Sequence, residues 1–400
     1  MEEYITGLDI GTTKICAIMC EGLGDDELNV RGVGVVPSRG LSKGMIVNLE
    51  STVGSIRKAV NEVEKVAGVK AEKMVVGISG EHVKSINARG VTPVVDNEVK
   101  RSHIDFAIEE ARKSSVPEDR EIVHVIPLDY LIDDQRNIKD PVGMTARHLE
   151  VKVHFITASV NSFNNICSCV RRAGYEIEGI VPQSMASAQS VLTDDEKELG
   201  AVLVDIGGGT TDVIVVQGGE GVYSKVIPLG GDSITNDIAI CLRVAKPVAE
   251  KLKKLHGGAL TGAEGSDFHF QGAGGVSLRY LCEVIEARVE EILRFVHREI
   301  QKSGFMGTGA RGAVLTGGTS LLSNINEKAE AILKMPVRIG RPERKLSGLE
   351  RFGISPVYST AVGLAQCGMI ERQRERKSKF SPGMFDWFGK KMKNIFKDFT

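Results

Sequence analysis

The sequence lacks the marks of a secreted, fibrous or membrane-spanning chain. No run of 18 consecutive apolar residues occurs in its 400 positions, and the amino terminus, MEEYITGLDIG, carries neither a basic n-region nor an apolar core. Neither a spanning helix nor a secretory leader is expected. Cysteine is sparse: the seven, at 16, 20, 167, 169, 241, 282 and 367, are odd in number and form no CxxC pair. They suggest neither a disulfide framework nor a zinc site, and read as reduced thiols packed as small hydrophobes. An excess of one charge is missing too: 51 basic against 52 acidic side chains give a net of −1 and no case for a nucleic-acid partner. With 42% apolar and 26% charged residues, the composition excludes wholesale disorder, coiled coil and collagen, and the length calls for two or more domains.

Neutrality hides a segment of opposite sign. Residues 371–400 hold nine basic and four acidic side chains, so the tail is +5 and the first 370 residues −6. The same tail has six of the 20 aromatics and the only Trp. From Ser381, an N-cap, and Pro382, at the first helical position, SPGMFDWFGKKMKNIFKDFT reads as a helix. Met384, Phe385, Phe388, Met392, Ile395, Phe396 and Phe399 fall within an arc of about 120°, Lys390, Lys393 and Lys397 lie opposite, and Trp387 sits at one edge. Most apolar stripes pack on their own protein. This one follows a charged segment, ERQRERKSKFSPG, that cannot bury a core, and such a helix alone in water is marginal. Immersing its apolar face in a bilayer interface would gain on the order of 10 kcal/mol gross. Cations such as Lys390 and Lys391 add about 1 kcal/mol each on an anionic surface. The expected membrane-contacting set is Phe385, Trp387, Phe388, Lys390, Lys391, Met392, Ile395, Phe396 and Phe399.

Along the chain, strand-like runs near 4–10, 14–21 and 28–37 precede a helix from Asn48 to Val66, stopped by Gly68, and a buried strand from Met74 to Ser79. About 75 residues after Gly80 have strand, helix and strand signals of their own and read as an inserted domain, after which α/β alternation returns. The plan then restarts. LDIGTTK at 8–14 and VDIGGGTTD at 204–212 share a strand, an Asp at its end, a glycine turn and threonines, and lie 196 positions apart. This spacing implies two related halves. The stretch from Ser233 to about Ser303 is mostly helical, and AVLT leads into GGTSLL at 317–322 and a helix from Leu322 to Leu333.

A glycine turn between strands offers backbone N–H groups to a phosphate without side-chain obstruction. Gly11, Thr12, Thr13 and Lys14 form one such turn, and Gly207, Gly208, Gly209, Thr210 and Thr211 the other. Asp9 and Asp205, entering them, suit the hydration shell of Mg²⁺, an ion that keeps its waters. One turn alone is an ordinary hairpin; two in duplicated halves, followed by Gly317, Gly318 and Thr319, point to a nucleotide.

These turns resemble the nucleotide site of the actin, Hsp70 and sugar-kinase superfamily. GISGEHV at 77–83, the inserted domain after it, AEKLKKLHG at 249–257 and SPVYSTAVGLA at 355–365 resemble, more closely, the FtsA family of bacterial cell-division proteins. The resemblance implies an α/β, actin-like fold of two duplicated lobes with an FtsA-type inserted subdomain and a C-terminal amphipathic helix. In that division, 1–80 and 158–196 form the first-lobe core, 81–157 the insertion, 197–232 and 302–370 the second-lobe core and 233–301 a helical subdomain. Residues 371–383 form a charged linker and 384–400 the terminal helix. It further implies ATP between the lobes, with Glu250 and Lys253 bracketing ribose and adenine; read alone, these two are a solvated helix face. Gln183, in VPQSMASA, stands where related proteins carry a water-orienting residue, or is simply the first residue of a helix. Hydrolysis is expected to be weak at most.

The function implied is tethering of FtsZ filaments to the inner face of the cytoplasmic membrane at the division site, with polymerisation and contacts to other division proteins. The FtsZ C-terminal tail is expected within about 233–301, where Arg288 matches a basic family position but alone reads as an ordinary exposed Arg. A small-molecule kinase would need a carboxylate base facing an acceptor pocket, and no candidate is obvious. An Hsp70-like chaperone would need a peptide-binding domain that does not follow. Among other actin-like scaffolds, the insertion argues against MreB and the terminal helix against the pilus assembly protein PilM.

Overall fold

The computed structural model describes residues 3–24, 27–261, 268–305 and 312–378. The tail residues Phe385 to Phe399 singled out above lie outside them. The chain begins with a meander, β1 (Tyr4–Ile10), β2 (Lys14–Gly24) and β3 (Glu27–Pro37), then a small hairpin, β4 (Leu41–Ser42) and β5 (Met45–Ile46). Next come α1 (Leu49–Ala67) and β6 (Lys73–Ile78). Local chemistry sets the ends of α1: the Asn48 side chain accepts the Ser51 N–H, and Gly68, at φ 72°, closes it in the left-handed region. Between them Val53, Ile56, Val60 and Val63 bury one face on the sheet.

The insertion contains β7 (Lys84–Pro93), α2 (Arg101–Ser115), β8 (Arg120–Ile132), β9 (Gln135–Ile138) and β10 (His148–Ser159). Its four-stranded sheet, in the order β7-β10-β8-β9, closes a separate core around Ile104, Leu149 and Phe155. The chain returns through α3 (Val160–Arg172), β11 (Glu176–Pro182), α4 (Gln183–Val191) and α5 (Asp194–Leu199). A second meander follows, β12 (Ala201–Ile206), β13 (Thr211–Gln217) and β14 (Glu220–Ile227). The helical subdomain has α6 (Gly231–Cys241), α7 (Lys246–His256), the hairpin β15 (Phe268–Phe270) and β16 (Gly274–Val276), and α8 (Leu278–Lys302). The remainder is β17 (Ala313–Thr316), α9 (Ile325–Leu333), β18 (Val337–Ile339), β19 (Leu346–Ser347) and α10 (Ser359–Ser378).

The duplication is explicit in the sheets. The first runs β11-β6-β1-β2-β3-β19 and the second β18-β17-β12-β13-β14. In each, an antiparallel meander continues through parallel pairings, β1 with β6 and β12 with β17. The insertion falls between β6 and β11, at the place that a 3₁₀ turn and α9 occupy between β17 and β18. The fold is the actin-like two-lobed one.

Three expectations need correction. The helix expected from Leu322 starts at Ile325, because a 3₁₀ turn over Gly318–Leu321 and Asn324, at φ 60°, come first. Residues 371–378, read from composition as linker, are the last two turns of α10: the Arg372 guanidinium grips Glu178 (Nη2 to Oε2, 2.6 Å) and donates to the Tyr4 carbonyl at 2.9 Å. The end of the segment assigned to the second lobe also packs elsewhere. β19 pairs with β3, and Ala361, Val362, Leu364, Ala365 and Met369 of α10 share a core with Ile5, Ile18 and Cys20. In exchange, Ala188 and Val191 of α4 pack on Leu203, Ile214 and Val314 of the second sheet. Both faces of each sheet are apolar and must be covered, but periodicity does not say by which helix. The two helices cross where Gly363 meets Ala186; a β-carbon there would stand 1.7 Å from the Ala186 carbonyl oxygen.

Candidate functional site

The two glycine turns are built alike. In the first, the Gly11 N–H donates to the Lys14 carbonyl at 3.0 Å, and in the second the Gly207 N–H donates to the Thr210 carbonyl at 2.9 Å. The two lobes bring the turns into contact. A β-carbon on Gly208 would lie 2.3 Å from Thr13 Cγ2, and one on Gly209 2.4 Å from Thr12 Oγ1. Behind the second turn, the N–H groups of Gly231 and Asp232 hold the carbonyls of Gly207 and Gly208 at 2.9 and 2.8 Å. Among the described residues no carbonyl accepts the N–H groups of Thr12, Thr13, Gly208 and Gly209. The result is a donor-lined cleft suited to phosphate.

Asp9 and Asp205, both buried, flank this cleft. Asp9 accepts the Lys14 ammonium at 2.8 Å on one oxygen and the Gln183 amide at 3.0 Å on the other. Asp205 Oδ2 accepts Ser187 at 2.6 Å and Thr360 at 3.2 Å. Burial pushes the Asp205 carboxyl above its usual range, and the charge of Asp9 adds to this against the two hydroxyl bonds. For Lys14, burial works downward, but Asp9 and the other acids outweigh it and hold the ammonium above its ordinary value. Two buried acids facing one cleft suit a hydrated divalent cation. Among the described residues no group of three or more His, Cys, Asp or Glu is placed to cage a metal directly, so an ion here would keep most of its own waters.

The side of the cleft expected to face a nucleoside is equally connected. Gly317, at φ 84°, has no room for a side chain, since a β-carbon would stand 2.3 Å from Asp205 Oδ1, whereas the β-carbon position of Gly318 opens on free space. Thr319 Oγ1 donates to the Gly207 carbonyl at 2.9 Å. Lys253 is buried and donates to the Gly231 carbonyl at 3.0 Å, to Thr235 at 2.8 Å and to Glu250 at 2.6 Å. Burial works upward on the Glu250 carboxyl, and bonds from Lys253 and Thr235 outweigh it, so it stands below the ordinary range.

The structure therefore gathers both turns, Asp9, Asp205, Gln183, Glu250, Lys253 and Gly317 to Thr319 around one cleft. Two hydroxyls are spent elsewhere: Thr211 donates to the Leu229 carbonyl at 2.8 Å and Thr210 to Asp212 at 3.3 Å. Arg288 is remote and is not a free cation, since its Nε and Nη2 hold Asp237 at 2.6 and 3.1 Å and its Nη1 meets Glu291. One residue escaped the sequence reading. Asp212, opposite Asp205 in the ladder, accepts Ser79 Oγ of the first lobe at 2.7 Å, and its carboxyl is pushed up to about 7, mainly by burial. Its signal was the asymmetry between the repeats, because 196 positions earlier the residue is Cys16.

The profile described as "Cell division protein FtsA" matches residues 202–363, and that described as "SHS2 domain inserted in FTSA" matches 80–157. Proteins named cell division protein FtsA are similar over nearly the whole chain. That of Pseudomonas aeruginosa is 42% identical over 374 residues, covering 92% of this chain and 89% of its own. That of Escherichia coli is 36% identical over 380 residues, covering 92% and 90%. In fold the chain is similar to a PilM-PilN type IV pilus biogenesis complex (TM-score 0.69, 17% identity, 91% of this chain and 98% of that one). It is also similar to MreB5 of Spiroplasma citri bound to ADP (TM-score 0.56, 14% identity, 95% and 99%). With its duplicated lobes, its inserted subdomain and relatives above 30% identity along most of its length, this chain belongs to the FtsA family of cell-division proteins.

Proposed function

We propose that this protein is an ATP-binding adaptor that holds FtsZ filaments at the inner face of the cytoplasmic membrane at the division site, polymerises and meets other division proteins. The observation that carries the nucleotide half of this reading is the contact between the two donor-lined turns, Thr12 and Thr13 against Gly208 and Gly209. Their N–H groups would cradle the phosphates, Asp9 and Asp205 would orient the waters of Mg²⁺, and Glu250, Lys253 and Gly317 to Thr319 would seat the nucleoside. Gln183 would orient a water through its free amide oxygen, its nitrogen being engaged by Asp9. Asp212, the other acid near the cleft, is engaged by the Ser79 and Thr210 hydroxyls, so hydrolysis would be weak, and the nucleotide would chiefly fix one lobe against the other.

The tethering half rests on the two ends of the load. On α8, an open groove of about 410 Å³, lined by Ala287, Glu290, Glu291, Arg294, Phe295 and Arg298, lies beside Arg288. Arg298 stacks over the Phe295 ring at 5.4 Å. Arg298 and the Phe295 ring would receive an acidic peptide with an apolar anchor, as an FtsZ tail would be, and its carboxylates would take the places of Glu290 on Arg294 and Glu291 on Arg288. At the other end, the apolar and cationic faces of 384–400 suit an anionic bilayer. Deleting 384–400 is expected to release the protein from phosphatidylglycerol vesicles in a sedimentation assay while ATP affinity is kept. Sedimentation equal to that of the full chain would refute the membrane assignment.

A further inference from the structure

Contacts along the second turn run in order from the Thr319 side of the cleft to the β4–β5 hairpin. Gly207 meets Thr319 and Gly231, Gly208 meets Thr13, Gly209 meets Thr12, and Thr12 Oγ1 in turn accepts the Gly44 N–H at 2.9 Å. Gly44 therefore lies at the end of the turn pair remote from Glu250 and Lys253. It is the tip of the β4–β5 hairpin, and the residue bonded to its nitrogen is Lys43. Lys43 is exposed and sits at φ 48°, with Gly44 at φ 75°, the left-handed pair that a two-residue hairpin turn requires. Its ammonium has no carboxylate partner among the described residues, and an extended stem reaches roughly 6 Å from the Cα. The same corner holds polar atoms that are buried and unpartnered: Ser38 Oγ and both ring nitrogens of His82. The Ser38 N–H donates to the Thr13 carbonyl at 3.0 Å, and Gly44 packs on Gly80, whose β-carbon position is 2.8 Å from His82 Nδ1.

Backbone donors in the turns serve the inner phosphates of a di- and a triphosphate alike. Among the described residues the two cations placed at the cleft are already engaged, Lys14 by Asp9 at 2.8 Å and Lys253, on the far side, by Glu250 at 2.6 Å, while the two buried acids repel added negative charge. A terminal phosphate adds negative charge beyond what Lys14 and a hydrated divalent ion on the two acids would offset, and an unpaired cation at the Thr12 end of the turns would meet it. We propose that Lys43 is that cation, so that the β4–β5 hairpin distinguishes a nucleoside triphosphate from a diphosphate, with Ser38 and His82 hydrogen-bonding the waters around the same terminal phosphate.

This rests on the ATP-binding reading and assigns a residue within it. The test is calorimetric titration of the full chain with Mg-ATP and, separately, Mg-ADP. Variants are Lys43→Ala, Lys43→Gly (which suits the left-handed backbone), Lys43→Arg and, as control, Lys58→Ala on α1. Loss of the charge should weaken ATP about tenfold or more while ADP changes less than twofold. Lys43→Arg should stay close to the wild type, and Lys58→Ala should change neither. ATP affinity unchanged in both charge-removing variants, or ATP and ADP weakened equally, overturns the role of Lys43 alone. A wild-type chain that binds neither nucleotide overturns the ATP-binding reading itself.

Discussion

Gly208→Ala is the smallest change that separates the cleft from the fold. Gly208 does not have a positive φ, so alanine meets no backbone strain and reduces the entropy of the unfolded chain, a gain of about 0.4–1 kcal/mol. The obstacle is the other lobe: the new methyl would stand 2.3 Å from Thr13 Cγ2, 2.5 Å from its Oγ1 and 2.9 Å from its Cβ. Rotating Thr13 moves the first two atoms but not the third. Since carbon atoms rest about 3.5–4.0 Å apart, the turns must part by roughly 1 Å. A misplacement of that size weakens a preorganised site by about 100-fold, or about 2.7 kcal/mol. Titration calorimetry should therefore show ATP affinity falling by about two orders of magnitude while the melting temperature falls by only a few degrees, since overpacking costs about 1–3 kcal/mol against that gain. Adding Thr13→Gly, which removes the obstructing Cβ, should restore much of the affinity. An ATP affinity within threefold of the wild type in Gly208→Ala would refute the claim that the turns form one site.

Two further predictions concern other interfaces. His154 is buried between Asn87 (2.6 Å) and Ser224 of the second lobe (3.3 Å), and burial lowers it to about 4. Its folded value lies below the unfolded 6.5, so its contribution is present above pH 6.5 and is lost as pH falls toward 4, on the order of 2–3 kcal/mol by pH 4.5. Urea unfolding across that range should show a shallower pH slope in His154→Gln; an identical slope would refute this. The slope should not vanish, since burial also lowers His124 to about 4. Arg372→Ala should cost about 1–3 kcal/mol by removing the bonds that Arg372 donates to Glu178 and to the Tyr4 carbonyl. Hydrogen exchange should then show residues 373–378 losing protection while 360–368 keep it, and unaltered exchange at 373–378 would count against the anchoring role of Arg372.

What could be read early was local. The Asn48 cap and Gly68 stop of α1, the Gly11 and Gly207 turns and their 196-residue repeat are set by neighbours a few positions away. Read alone, Lys253 and Glu250 look solvated, because their helix is amphipathic and nothing in it announces that Gly231 and Thr235 will cover the lysine. Arg288 looked free because Asp237, its partner, is 51 positions away on another helix. The charged run after Met369 looked unable to fold because composition does not record that Glu178 and Tyr4 lie beneath Arg372.

The sequence by itself determined the strands, the duplicated turns and the acids at their ends, since hairpin geometry and glycine chemistry act within a few residues. Only the tertiary structure decided that the turns touch, that α4 and α10 exchange sheets, that Ser79 closes on Asp212 across the lobes, and that the Lys43 hairpin stands beside Thr12. The physical reason is common to all four. Each depends on which of several equally apolar or equally polar surfaces meets another across the chain, and that choice is made by tertiary packing, between the lobes in the first three cases and within the first lobe for the hairpin, not by any local run of residues.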